Sequence, residues 1–414
     1  MLDLFFESGA PFDVLMGKFF RNNRWIGASD RREIAEFSYV IFRNFEKLKF
    51  LTSSVDANDA NLGRLYVLAF LATEKKLSSE KISELFDGKR YAPVALTNFE
   101  KEFIGALQRK TVFPKNALLN YPQWMSPLLE KAFSPQDLEN EMLALNARAP
   151  LDLRVNTLKS SRETVKKMLM NSGFQVEDCR YSPTSLRLSD GRIGRNHDII
   201  REGLAEIQDQ GSQLVAEMCV VSSVETLVDF CAGAGGKTLA IAALMHNKGR
   251  IFALDKDENR LKRAKLRFKK SGLSNVFCQE ITSKWIKRHR ECADVVLVDA
   301  PCSGTGSWRR NPDMRAKFTP KDLEELLILQ EKILESAQQL VKNGGKLIYA
   351  TCSILKEENQ IQMEKFLAKF PKFRLGYVRL SSYSGKFLQL TPYKNQTDGF
   401  FGAVLEFVKD HTNG

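Results

Sequence analysis

The chain has 414 residues, enough for roughly two or three domains with ordinary cores. Its 43% apolar and 27% charged residues are globular values and exclude a disordered or collagen-like polymer. Lys and Arg number 62 against 50 Asp and Glu, a net charge of +12 that favours a polyanionic partner: nucleic acid first, an anionic membrane surface second. In chain order, the opening MLDLFFESGAPFDVLM carries early acids and no basic n-region, so it does not read as a signal peptide. The first 140 residues or so read as helical. Between Asp30 and Leu51, Ile34, Phe37, Ile41, Phe45 and Leu48 fall at spacings of three and four, one apolar stripe, with Asp30 and Glu33 as a capping box. Leu62–Ala72 and Glu80–Phe86 continue the pattern, and Ser134-Pro135 caps a further helix. The longest apolar stretch, Leu65 to Ala72, is too short to span a bilayer, so no membrane association is expected. Between Lys18 and Arg32, basic residues are mixed with Phe19, Phe20 and Trp25, a composition that suits RNA phosphates and exposed bases.

From Leu151 the periodicity changes. LDLRVNTL alternates as a strand, Ser160 with Glu163 caps a helix through Met170, and Ser185–Ser189 is extended again. This small α/β insert covers residues 141–205. Strand and helix signals then alternate through 206–410: VETLVDFC, a helix from Lys237, RIFALD, a basic helix from Asn259, NVFCQE, DVVLVDAP, a helix from Pro320, and KLIYATC. Such alternation predicts an α/β fold with a parallel, doubly wound sheet. LQLTPYKNQTDGFFGAVLEFV closes the chain as two strands joined by a polar loop.

In an open parallel sheet, ligands bind beyond the carboxyl ends of the strands. The first strand delivers Cys231, Ala232, Gly233, Ala234, Gly235, Gly236, Lys237 and Thr238 there. The second delivers Asp255, the third Glu280, the fourth Asp299-Ala-Pro-Cys302-Ser-Gly-Thr-Gly306, and the fifth Thr351-Cys352-Ser353. The glycine loop has two readings. It is one residue from a Walker A motif, with Cys231 where the first glycine belongs, which would make the chain a P-loop NTPase with VVLVDAP as its acid-bearing strand. Against that, Asp255 lies 24 residues after Cys231, at the end of the next strand, where it suits a ribose hydroxyl pair. A P-loop enzyme also has no use for cysteines at the ends of strands four and five.

Seven cysteines without a CxxC pair argue against a disulfide framework and a thiolate zinc site. His197, His246, His289 and His411 form no HxxxH or HxH pair, so no metal is expected. A reducing, cytoplasmic compartment fits this usage. Cys302 stands out because it lies in a Pro- and Gly-flanked turn, and Cys352 because it also follows a strand. A thiol, a carboxylate and a nucleoside cofactor suggest methylation of cytosine. A thiolate adding to carbon 6 makes carbon 5 nucleophilic, and a carboxylate such as Asp299 near N3 favours the addition. Which cysteine attacks stays open on these residues alone.

The motifs around Cys231, Asp299 and Thr351, in this order, resemble the RsmB/NSUN family of RNA cytosine-5 methyltransferases. Arg154-Val-Asn156, Gln208-Asp-Gln-Gly-Ser212, Arg309-Arg-Asn-Pro-Asp313 and Asp398-Gly-Phe-Phe401 agree with it. Gly27-Ala-Ser-Asp-Arg-Arg-Glu-Ile and its helix are similar to the NusB-like RNA-binding domain of the bacterial branch, which implies 16S ribosomal RNA as substrate. The resemblance implies a Rossmann-like class I methyltransferase domain using S-adenosylmethionine, with Cys352 as nucleophile and Cys302 assisting product release. It maps the cofactor onto Cys231–Lys237, Asp255, Glu280 and Asp299. Two positions depart from the pattern: Gly233-Ala-Gly-Gly stands where the family has Ala-Pro-Gly-Gly, and Glu280 where it has Asp. Lys256–Lys270, Arg309, Arg310, Arg315 and Lys317 are candidate phosphate contacts, with Arg309 and Arg310 placed nearest the reacting base. A non-catalytic RNA-binding assembly factor is the remaining alternative.

Overall fold

The computed structural model describes every residue except 54, 56–60, 90, 91, 108–111, 190, 195, 221–224 and 409–414. His411 and the expected domain end at 410 therefore lie outside the described residues. The chain divides into two compact units. One comprises Met1–Asn146 together with Arg310–Phe318; the other comprises Ala147–Arg309 and Thr319–Gly414. The segment 310–318 thus belongs with the N-terminal unit, not with the 206–410 span to which its position in sequence assigns it.

The first unit is helical. Its core is rich in phenylalanine: Phe5, Phe12 and Phe42 are buried with ring centroids 4.9 to 5.7 Å apart in edge-on pairs. The expected helix 30–51 is two helices, Ala28–Arg43 and Phe45–Thr52, split at Asn44. The Asn44 side chain donates to the Val40 carbonyl and its backbone N–H turns to Ile41, local bonds that compete with the helical ladder. The apolar stripe carries across the break, so Ile41, Phe45 and Leu48 stay buried. The Asp30–Glu33 capping box does not form. Gly27 is the N-cap, and Asp30 sits in the first turn, where its charge favours the helix dipole. Helices Leu62–Thr73, Ser79–Leu85 and Pro135–Asn146 lie where the periodicity puts them.

Arg315 is a buried cation of this unit. Its guanidinium donates to the Asn120 carbonyl (2.7 Å), the Leu145 carbonyl (3.2 Å) and the Asn146 side chain. Burial lowers its pKa to about 9. The expectation that Arg315 meets RNA phosphate is therefore corrected: at 1% exposure it is an interior tie. Lys317 likewise donates to the Ser8 carbonyl and caps the Phe5 ring.

The second unit opens with a small antiparallel sheet of β1 (Leu151–Val155), β2 (Val176–Asp178), β3 (Ser185–Leu188) and β4 (Ala205–Ile207) in the order β2-β3-β1-β4. The helix Arg162–Asn171 packs on it. Its cap is Ser161, one residue later than expected, accepting from Thr164 N–H at 3.1 Å.

The main sheet is built from β5 (Thr226–Asp229), β6 (Arg250–Asp255), β7 (Val276–Glu280), β8 (Ala293–Asp299), β9 (Val341–Thr351), β10 (Phe373–Leu375) and, after the short pair β11 (Val378–Arg379) and β12 (Ser384–Gly385), β13 (Leu388–Leu390) and β14 (Phe400–Phe407). Its order is β7-β6-β5-β8-β9-β14-β10, with β13 also on β14. Alternate residues of each central strand enter opposite cores. Leu227, Ile251, Val295 and Ile348 pack with the helices Gln210–Met218 and Gly236–Leu244, whereas Val228, Leu254, Val296 and Tyr349 pack with Pro320–Ala337 and Gln360–Lys369. Burial on both faces explains the unbroken apolar runs of these strands. This is a Rossmann-like α/β fold, and its order reverses between β5 and β8, the switch point where ligands bind. The sheet is mixed, however. The strands β5 to β9 are parallel, while β14 runs antiparallel to β9, β10 and β13. The link from β13 to β14 is too short for a crossover helix that could restore parallel direction.

Replacing Arg315 with Met should destabilise the helical unit by about 2 kcal/mol, because the carbonyls of Asn120 and Leu145 lose their buried donor. Urea denaturation followed by circular dichroism measures the loss.

Candidate active site

At the end of β5 the chain turns through a glycine loop into the helix Gly236–Leu244. Gly233 (φ +57°) and Gly235 (φ +81°) are left-handed, which side chains resist. A Cβ on Gly235 would also stand 2.5 Å from the Phe268 ring. Gly233 and Gly236 instead open on free space: a Cβ there meets nothing within 4 Å. Room over a backbone that turns towards a helix N-terminus is what a bound nucleoside cofactor requires. The loop is braced from behind. Arg267 donates to the Ala234 carbonyl at 2.6 Å and pairs with Glu206. Ala232 N–H bonds the Leu254 carbonyl, and burial pushes the Cys231 thiol up, leaving it an inert wall.

Asp255, at the end of β6, is 5% exposed and accepts one backbone N–H on each oxygen, from Gly233 and Asp257, both at 2.8 Å. Each oxygen keeps a lone pair for a hydroxyl. Glu280 lies beside it in register at the end of β7, exposed and without a side-chain partner among the described residues. At the end of β8, the Asp299 carboxylate accepts from Lys237 Nζ at 2.7 Å. Burial works to lower the Lys237 pKa, but the Asp299 charge outweighs it and holds the ammonium protonated.

The two cysteines meet. Cys302 follows β8 and Cys352 follows β9, and their sulfurs are 3.4 Å apart. The hydrogen bond to Cys352, burial and the nearby Glu358 charge raise the Cys302 pKa, so this thiol keeps its proton. A buried polar lattice holds both loops. Gly306 N–H donates to the Cys352 carbonyl at 2.9 Å. Ser303, Thr305 and Ser353 hydroxyls interlink at 3.1 to 3.3 Å. Glu358 accepts from Ser303 N–H (2.8 Å), the Ser303 hydroxyl and Gln330 (3.0 Å). Asn359 ties Thr351 to the Ser353 carbonyl.

Arg309 is corrected as an RNA contact. It is 5% exposed, donates to Asp398 Oδ1 at 2.6 Å and lies 3.7 Å from Asp209. Asp209 also accepts from Asp398 N–H at 3.0 Å. Asp209, Asp229, Asp398 and Glu358 were not singled out by sequence reasoning. Two of them stand inside quoted motifs, Gln208-Asp-Gln-Gly-Ser212 and Asp398-Gly-Phe-Phe401, which was the signal available. Asp229 is fully buried. Its Oδ2 accepts from the Thr238 hydroxyl at 2.6 Å, and its Oδ1 has no partner. Among the described residues no cluster of His, Cys, Asp and Glu could hold a metal ion, and no helix is long and apolar enough to cross a membrane.

Residues 219–406 match the family described as 16S rRNA methyltransferase RsmB/F, and residues 121–192 match its ferredoxin-like domain. A probable ribosomal RNA small subunit methyltransferase B from Synechocystis is 34% identical over 69% of this chain and 67% of its own. The Photorhabdus laumondii ribosomal RNA small subunit methyltransferase B is 33% identical over 69% of this chain and 66% of its own, so the alignments span about two thirds of these relatives. The crystal structure of PH0851 is similar over 94% of this chain and 92% of that one, with a TM-score of 0.77 and 28% identity.

Burial raises the Asp229 pKa from 3.8 to about 7. The native state therefore holds a proton that the unfolded chain releases at lower pH, and unfolding free energy should fall as pH rises from about 4 to 7, then level off. Asp229→Asn removes this window. The variant should gain on the parent by roughly 3 kcal/mol across it. Urea titrations at fixed pH values measure the difference.

Proposed function

Because the chain belongs to the RsmB/F family of 16S rRNA methyltransferases, we propose that it methylates carbon 5 of a cytosine in 16S ribosomal RNA through a covalent adduct on Cys352. S-adenosylmethionine, the methyl donor of such enzymes, supplies an electrophilic methyl group when bound. Gly233–Lys237 would hold its methionine end against the helix N-terminus, Asp255 its ribose hydroxyls, and Glu280 its adenine edge. The open space over Gly233 and Gly236 supports this fit.

The observation that carries the reading is the 3.4 Å separation of the Cys302 and Cys352 sulfurs at the carboxyl ends of adjacent strands. The Cys352 thiolate adds to carbon 6 of a cytosine that has left its stack, and the ring's electrons shift towards carbon 5. Asp299 accepts from the 4-amino group of the base beside N3, with the Lys237 ammonium behind it offsetting the charge that develops. Once carbon 5 carries its methyl group, its proton leaves and the Cys352–C6 bond breaks, restoring the ring. Cys302 assists that second half. Once the Cys352 sulfur is bonded to carbon 6, its hydrogen bond no longer holds the Cys302 proton; Cys302 then releases that proton to water, and its thiolate takes the carbon 5 proton as the Cys352 sulfur leaves as a thiolate.

The same geometry disfavours a P-loop NTPase. Lys237 is occupied by Asp299 and Thr238 by Asp229, so neither is free for phosphate or magnesium. Two sulfurs held in contact by a buried lattice disfavour a scaffold without chemistry. All seven cysteines are free, which suits the reducing cytoplasm.

Cys302→Ala should let an RNA adduct accumulate on denaturing gels, and Cys352→Ala should give none. Methyl transfer should fall at least a hundredfold in the latter. Bisulfite sequencing of ribosomal RNA from cells with and without the gene should lose one protected cytosine in 16S RNA. Absence of both adduct and lost signal would refute the reading.

A further inference from the structure

The charge of this chain is not spread evenly. Residues 256–290 hold twelve Lys and Arg against three Asp and Glu, a net +9 of the chain's +12 within less than a tenth of its length. These residues form the helix Glu258–Lys270, the strand β7 and the helix Ser283–Arg288. β7 is the terminal strand of the sheet and pairs only with β6. Its second backbone edge is open among the described residues, flanked by a basic helix on each side.

A cavity of about 800 Å³ wraps this edge, lined by Phe252, Phe277, Trp285, Lys265 and Lys269 among others. Phe277 is 50% exposed, a large ring presented to solvent on an edge strand. Its centroid is 5.9 Å from Phe252, and Trp285 lies 5.5 Å beyond Phe252 with His289 stacked on it at 4.0 Å. Lys265 and Lys269 are exposed and make no ion pair among the described residues, unlike Lys262 (with Glu258) and Arg267 (with Glu206). Lys284, Lys287 and Arg288 are exposed on the other flank.

We propose that this edge is a second RNA-binding surface, on which a base of a single-stranded segment of the substrate RNA stacks on Phe277 while Lys265 and Lys269 hold the adjoining phosphates. The inference rests on the reading of RNA as substrate. Charge complementarity selects the occupant. A flat ring flanked by unpaired ammonium groups matches a nucleotide, whose base offers a π-face and whose backbone repeats a negative charge. An anionic lipid surface would engage the charge but would meet a cavity, not a continuous apolar face. The surface is separate from the reacting centre. β7 lies four strand intervals from β9, on the order of 20 Å. It adds length to the footprint without touching the chemistry, and phosphate contacts of this kind position RNA without reading its sequence.

The test uses the full chain and a fluorescent single-stranded RNA that contains no cytosine, so binding is read without any methyl transfer. Lys265→Ala with Lys269→Ala should weaken binding roughly tenfold at low salt and flatten the log–log salt dependence by about 1.4, two phosphates' worth. Phe277→Ala should weaken binding roughly tenfold with the salt slope unchanged. S-adenosylmethionine affinity and the urea midpoint should match the parent in all variants, which controls for folding. Wild-type RNA affinity in either variant overturns the proposal. So does a loss of binding to phosphatidylserine vesicles with RNA affinity intact. Failure of the cytosine-5 reading would appear in the adduct and bisulfite experiments and leave this measurement untouched.

Discussion

Two stretches of backbone touch at Gly306 and Gly399, and the placement of the paired cysteines depends on that contact. Gly399 N–H donates to the Gly306 carbonyl at 2.8 Å, and a Cβ at Gly306 would run into the Gly399 carbonyl. Gly306 also donates to the carbonyl of Cys352. One glycine therefore fixes three strand ends at once: the loop after β8, the end of β9 and the turn into β14. The position of the two sulfurs follows from it. Nothing larger than hydrogen fits, so the site is set by close backbone approach before any side chain is counted.

Around this contact the interior carries charge. Asp209, Asp398 and Glu358 are buried carboxylates, Arg309 is a buried cation between the first two, and Asp229 is a buried acid that keeps its proton up to about pH 7. Buried charges persist when hydrogen bonds replace the lost water. Here most donors are motif residues: Ser303 for Glu358, Thr238 for Asp229 and Arg309 for Asp398, with Gln330 of the helix Pro320–Ala337 as a further donor to Glu358. The motifs that look like catalytic signatures in the sequence are, for the most part, fasteners. Few of their atoms face the cleft, and the rest are bonded to one another.

This explains what was legible in the sequence. The glycine loop, the strand-end acids and both cysteines announced themselves because chemistry at the sheet rim uses residue types that a core avoids. The strands of the parallel core were visible as apolar runs bounded by turns. Arg309 and Arg315 were misread because a charged residue is taken as solvent-facing unless its partners are known. Those partners lie 89 residues from Arg309 and 169 to 195 from Arg315. The break at Asn44 was hidden because the apolar stripe continues across it. The antiparallel direction of β14 relative to β13 follows from the short link between them, which the residue pattern of β14 does not show.

One feature of the chain path bears on how the molecule is made. Residues 310–318 complete the helical unit, yet they are synthesised only after more than 160 residues of the other unit have left the ribosome. Arg315 then fills a place lined by Asn120, Leu145 and Asn146. Domains emerging from the ribosome usually close in order, the first before the second. Here the first unit lacks its last nine residues, and with them the Arg315 ties, until the chain has been made as far as Phe318. The two halves of the protein are consequently coupled in folding by topology alone, and no single cut in the polypeptide separates them intact.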